Sequence, residues 1–249
     1  MIDIHNHILP DIDDGPKNIT ETIMLLQQAK EQGVTGIIAT PHHLSPKYTN
    51  NIKDVKALIK EVQQISVIQK IGVNIYHGQE IRLTDQIVSD IEKGNISGLN
   101  DSKYLLIEFP SNEVPLYTKQ LFYELQLMKF IPIIAHPERN KVLANNMNVL
   151  YDLINMGALS QLTAGSLLGN AGKNIQKISI KMIHYDLTHF IASDAHHSVL
   201  RPFAIKKLFK YRKLKKVKPK IEAMFNHSQL IIENSTIDKQ QPINFSNQR

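Results

Sequence analysis

IPIIAHPER (131–139) runs through five apolar residues and then turns at once to a histidine, a proline and two charged groups. A strand with one wet face would alternate apolar and polar positions. This one does not, so it reads as a strand buried on both faces, as in parallel sheets covered by helices. Its polar tip marks where the buried strand ends. The same form recurs at IDIHNHIL (2–9), TGIIATPH (35–42), NIYHGQEI (74–81), YLLIEFP (104–110), LSQLTAG (159–165) and HFIASDAH (189–196). Helical patterns lie between them: one starting at the candidate cap Asn18 and ending before Gly33, then 51–69, 115–129, 147–156, 174–184 and 201–211. Seven strand–helix units in 249 residues predict one α/β barrel rather than two domains. No Gly/Ser linker or repeat divides the chain. A single domain is expected over 1–235, with 236–249 as a loose, polar C-terminal tail.

Composition narrows the function. No run approaches the ~20 apolar residues that cross a bilayer, and the N-terminus lacks the basic and apolar regions of a signal peptide, which predicts a cytoplasmic protein. With no cysteine, every thiolate mechanism is excluded. The net charge of +6 is local. Residues 201–220 hold ten of the 29 basic residues and no acid, and the rest carries 19 basic against 23 acidic residues. No even electrostatic coat for nucleic acid is indicated.

The strand tips carry the chemistry. His5 and His7, His42, Glu80, Glu108, His136, and Asp194 with His196 end six of the seven strands, and Asp14 follows the first. The intervals from His5 through His42, Glu80, Glu108, His136 and Asp194 are 37, 38, 28, 28 and 58 residues. Each of the first four fits one strand–helix–strand step of roughly 30 residues or more. In a barrel these tips converge on one face. Clustered buried carboxylates repel, and divalent cations remove that penalty. Nine candidate ligands exceed the roughly four that one tetrahedral ion needs, so two or three ions are expected. A mixed imidazole and carboxylate set points to Mn, Fe or Zn. His43 and His197 each follow a candidate ligand and are read as turned away or supporting. His77, His184, His189 and His227 are read as structural.

DIHNHILPDIDDGP, TPHH, GQEI, IEFP, AHPERN and SDAHH, in this order, resemble the motifs of the PHP superfamily, and more narrowly its bacterial CpsB/CapC branch of metal-dependent protein-tyrosine phosphatases. The likeness runs from residue 1 to about 235. It implies a distorted (β/α)7 TIM-like barrel and a centre of three ions, usually Mn2+. His5, His7, Glu80 and Asp194 would hold one ion, and Asp14, His42 and His196 a second. Glu80, Glu108 and His136 would hold the third, with Glu80 bridging. Arg139 and Arg201 match the positions of phosphate-binding arginines.

The implied reaction is hydrolysis of a phosphotyrosine monoester by a water activated between ions, with Asp194 or His196 protonating the leaving group. The implied partner is a phosphorylated tyrosine kinase of the capsule machinery. Rival readings are a histidinol-phosphate phosphatase, a phosphodiesterase, or a binding module whose metals only hold the fold. PHHLSPKYTNN and FPSNEVP, the longest loops near the tips, are too short for a lid, so an open mouth is expected. The basic stretch 206–220 reads either as a solvated helix face or as a docking patch for an acidic partner or membrane surface.

Overall fold

The computed structural model describes residues 1–244 and contains all seven expected strands, two of them broken in the middle. β1 is Ile2–Asn6. The second expected strand splits into β2 (Gly36–Ala39) and β3 (His42–His43), and the third into β4 (Asn74–His77) and β5 (Glu80–Arg82). β6 (Tyr104–Glu108), β7 (Ile131–Ala135), β8 (Leu159–Thr163) and β9 (Phe190–Ala192) follow. All ladder pairs are parallel, in two sheets of order β1-β2-β4 and β3-β5-β6-β7-β8-β9. The breaks have local causes. Pro41 has no N–H to give a ladder. A Cβ at Gly78 would stand 2.7 Å from Leu99 Cδ2 and 2.8 Å from Ile38 Cγ2, so glycine lets the chain cross between sheets there without displacing those side chains. On the other side, Asp194 N donates to His5 O and His7 N to Ala195 O, both at 2.9 Å. His42, Glu80 and Asp194 therefore stand where the two sheets meet.

Both faces of the strands are buried, as the apolar runs require. Ile2, Ile4, Ile38, Leu106, Ile133 and Phe190 form an inner cluster, whereas Leu105, Ile107 and Ile134 turn outward to the helices. The helix Ile19–Glu31 starts as expected, with Asn18 Oδ1 accepting from Glu21 N at 3.1 Å. The helix expected over 51–69 is two, Ile52–Gln63 and Ser66–Ile71.

Two expectations need correction. The helix expected at 201–211 shrinks to Ile205–Leu208, because His196 N bonds Arg201 O at 3.0 Å and ties the preceding residues into a turn. A helix at Lys218–Ile232 had not been anticipated. Pro219 reads as a breaker in sequence, yet it sits in the first turn, where no N–H is needed. The stretch expected to be a loose tail is held down through residue 243. Ile237 is buried, Lys239 Nζ donates to Ile154 O, and Ile243 N donates to Tyr185 O. The end of that stretch, 245–249, lies outside the described residues.

Candidate metal centre

Every candidate ligand comes from a strand tip or the loop directly after it. His5 is on β1 and His7 just beyond it; His42 and Glu80 face each other in register at the start of β3 and β5. Glu108 ends β6, His136 follows β7, and Asp194 and His196 follow β9. Asp14 lies in the loop after β1. Gly15 fixes that loop, since a Cβ there would stand 2.3 Å from His7 O. His136 and Asp194 adopt left-handed backbone (φ 31° and 52°), a cost that non-glycine residues bear where surrounding bonds hold them.

Glu80 is the hub. Its Oε2 lies 3.3 Å from His5 Nε2, 3.2 Å from His7 Nε2 and 3.0 Å from His42 Nδ1, and its Oε1 lies 2.7 Å from His136 Nε2. Asp194 Oδ1 lies 3.5 Å from His5 Nε2 and 3.5 Å from His196 Nδ1. Asp14 Oδ1 lies 3.4 Å from His42 Nε2 and 3.2 Å from His196 Nε2. Three sets bring their donor atoms close enough for an ion: His7, Asp14, His42 and His196; His5, His7 and Glu80; and His42, Glu80 and Glu108. The structure places His136 against Glu80, while His42 completes the set with Glu108.

The donor chemistry fits cations. His196 Nδ1 is 3.1 Å from Asp194 O, so in the neutral ring that nitrogen donates and Nε2 keeps its lone pair. Burial and the neighbouring His7 push the His196 pKa down to about 4, which favours that neutral form. Its Nε2 is buried without a hydrogen bond and faces Asp14 Oδ1, acceptor against acceptor. His5 and His7 repeat the pattern. Their Nδ1 atoms are engaged by Gln161 Oε1 at 2.7 Å and Asp13 Oδ2 at 2.6 Å, and their Nε2 atoms stand 3.4 Å apart. Burial opposes charge on His5 and His7, but Glu80 and Asp194 beside His5, and Asp13 beside His7, raise both pKa values. Burial likewise resists charge on Glu80, yet His5, His136 and His7 hold it well below the usual carboxylate range.

Two guanidinium groups close the rim. Arg139 Nη1 and Arg201 Nη2 both donate to Asp194 Oδ2, the latter at 2.8 Å, on the side away from the imidazoles. The cavity they share with the ligands measures about 240 Å³, and Ser111 and Asn140 also line it. It is open to the outside, as the short loops predict.

The family model for capsular polysaccharide synthesis, CpsB/CapC, matches residues 1–235. The chain belongs to the CpsB/CapC family. It is 57% identical to the CapC protein of Staphylococcus aureus, covering 97% of this chain and 95% of that one. It is 40% identical, with the same coverage, to tyrosine-protein phosphatase YwqE of Bacillus subtilis. A crystal structure from work on YwqE and Streptococcus pneumoniae CpsB, described there as unique metal-dependent tyrosine phosphatases, superposes with a TM-score of 0.90 at 40% identity over 98% of both chains.

Sequence reading missed the residues that support this CpsB/CapC centre. Asp13 holds His7 through Oδ2 and accepts from Gly15 N through Oδ1 at 2.9 Å. Gln161, on the strand expected to carry no ligand, is oriented by its own Nε2 donating to Leu162 O at 2.7 Å. The spare histidines are placed elsewhere. His43 pairs with Asp90 at 3.0 Å, His77 with Asp101 at 3.1 Å, and His197 Nδ1 accepts from Val199 N at 3.0 Å. His189 Nδ1 accepts from Ser160 N, and His227 Nδ1 donates to His189 O.

Asp13→Asn should weaken metal binding roughly 10–100-fold, the range for residues that orient a metal-ligating imidazole. Titrating activity with added metal checks this. Turnover at saturating metal should recover, and an unchanged metal titration would mean Asp13 only shapes its loop.

Proposed function

We propose that this chain is a metal-dependent protein-tyrosine phosphatase that hydrolyses phosphotyrosine on a tyrosine kinase of the capsule machinery in the cytoplasm. The observation that carries this reading is the cluster of imidazole and carboxylate acceptors, most of them buried, aimed at one another beside Arg139 and Arg201, in a chain whose relatives include named tyrosine-protein phosphatases. Among the described residues no helix is long and apolar enough to cross a membrane. We further read the two sheets as one distorted barrel of seven strand–helix units, forming a single domain over 1–235.

His5, His7, Asp14, His42, Glu80, Glu108, His136, Asp194 and His196 would hold three ions, with manganese our choice over iron or zinc for so mixed a set. When bound, such ions supply Lewis acidity toward phosphoryl oxygens and water. The chain's own residues do the rest. Arg139 and Arg201, forked donors on one side of the site, grip the equatorial oxygens of the ester and offset the charge that builds on them. Glu80 and Asp194 would help hold the ions and offset their charge. Burial resists charge on Asp194, but Arg139, His5 and Arg201 hold its pKa well below the usual range, so it stores no proton near neutrality. Neither does His196 in its neutral form. We therefore read both as ligands that position the reaction, and the tyrosyl oxygen, with a phenol pKa of about 10, leaves with little help.

The test compares kcat/KM on phosphotyrosine peptides, phosphoserine peptides, histidinol phosphate and single-stranded DNA, with and without chelator. Phosphotyrosine peptides should lead, and chelator should abolish turnover until Mn2+ is restored. Histidinol phosphate or DNA ahead by tenfold, about 1.4 kcal/mol of transition-state preference, would overturn the substrate assignment. Full activity in excess chelator would overturn the metal reading.

A further inference from the structure

The basic stretch that follows the metal centre in sequence also follows it in space. The active-site cavity shares Arg139, Asp194 and Arg201 with a second hollow of about 220 Å³, whose far wall is Asn170 and Pro202. Those two residues in turn open a third hollow of about 410 Å³ lined by Lys207, Lys210 and Tyr211. Lys210 and Tyr211 pass into a fourth, about 390 Å³, that adds Arg212, Lys215 and Lys218. Adjacent hollows, each sharing wall residues with the next, thus lead from the arginine pair outward over residues 202–218.

Beyond Asp194, which the two arginines pair, the residues that line the outer three hollows carry only positive charge. No acid occurs between residues 201 and 220. Lys206, Lys213, Lys218 and Lys220 are tied to protein acceptors: Glu31 O, Gln176 Oε1, Glu222 and Asp186. Lys207, Lys210 and Lys215 are exposed and form no ion pair among the described residues. Three unpaired cations in a row raise the local positive potential and draw anionic partners toward the groove. The apolar part of the wall, Leu200, Pro202, Leu168 and the ring of Tyr211, suits an extended backbone rather than a compact ligand.

We propose that this groove binds an acidic flank of the substrate: an extended peptide segment beside the phosphotyrosine, carrying carboxylates or further phosphates, that lies along Lys207, Lys210 and Lys215. This rests on the phosphotyrosine reading above. Charge complementarity and the groove's continuity with the catalytic cavity identify the occupant, and one end of the segment is fixed by the ester at the metal centre. The groove then sets substrate choice and encounter rate, whereas the metal centre sets chemistry.

The test pairs kinetics with binding, using the full chain loaded with metal. Wild type should prefer a phosphotyrosine peptide with an acidic flank to the same peptide with a neutral flank by about tenfold in kcat/KM at low salt, through KM, and lose the preference as salt rises. Lys207→Gln/Lys210→Gln/Lys215→Gln should remove that preference while p-nitrophenyl phosphate hydrolysis stays at the wild-type rate. Fluorescence anisotropy with a labelled acidic peptide lacking phosphotyrosine gives a readout independent of catalysis, and the triple variant should lose binding there too. Binding of that peptide with no turnover of any phosphotyrosine peptide would sink the phosphatase reading and leave the groove standing. Equal rates on acidic and neutral flanks, or binding of the acidic peptide that the triple variant retains, would overturn the groove. So would capture of phosphatidylserine vesicles, lost in the triple variant, without capture of the peptide: the stretch would then serve a membrane surface.

Discussion

Glu80→Ala is expected to eliminate turnover and bound metal together. The carboxylate is buried, and its two oxygens stand within 3.3 Å of nitrogens from four imidazoles, His5, His7, His42 and His136. Two of the three sets able to hold an ion include it. Removing it strips a ligand from both sets and leaves the facing imidazoles without their shared counter-charge, so the loss should exceed the ~10–100-fold seen for a residue that merely orients a ligand. Metal analysis of protein purified without chelator, read beside the rate on p-nitrophenyl phosphate, checks both halves. Glu80→Gln keeps the shape and removes the charge. A folded Gln variant should lose metal as well, which separates a ligand's role from a packing role. Near-wild-type turnover in Glu80→Ala would end the shared-carboxylate account, because no second acid reaches the same four rings.

How much of this centre was legible in the sequence depends on the kind of signal each residue sends. The candidate ligands other than Asp14 stand out in the sequence because each ends an apolar run, where a charged or imidazole group has no packing reason to be. Their supports were not. Asp13 adjoins Asp14, and nothing in the sequence tells which of two neighbouring carboxylates supports His7; in the structure Asp13 takes His7 Nδ1, while Asp14 Oδ1 faces His42 and His196. β8 was expected to carry no ligand, yet it supplies Gln161 to His5 and Thr163 to Arg139. Neutral amide and hydroxyl groups are too common on buried strands to stand out before their partners are known. The parallel α/β fold followed from the same apolar runs. Its division into two sheets did not, since it turns on Pro41 and on the space around Gly78, which only tertiary contacts define. The helix Lys218–Ile232 was hidden by Pro219, because a proline allowed in a first turn looks the same in sequence as one that breaks a helix.

Arg139→Ala should lower the rate by roughly 10²–10³-fold with metal content unchanged, the loss expected when a preorganised donor to developing charge is removed. Arg139 is held for that task. Its Nη2 donates to Thr163 Oγ1 at 3.2 Å, and Glu138 Oε1 takes the Thr163 N–H at 3.0 Å, so two residues of the HPER segment are braced on the tip of β8. The metals should survive the change, because Arg201 still donates to Asp194 Oδ2 at 2.8 Å and the ligand-facing oxygen of Asp194 is untouched. The defect should lie in kcat more than in KM, since a charge that grows in the transition state is poorly developed in the bound ester. Arg139→Lys keeps one positive charge but not the fork that meets two phosphoryl oxygens, and it should recover only part of the loss. A parallel fall in metal and rate would instead make Arg139 a strut for Asp194. Full activity in Arg139→Ala would move the phosphate to Arg201 alone.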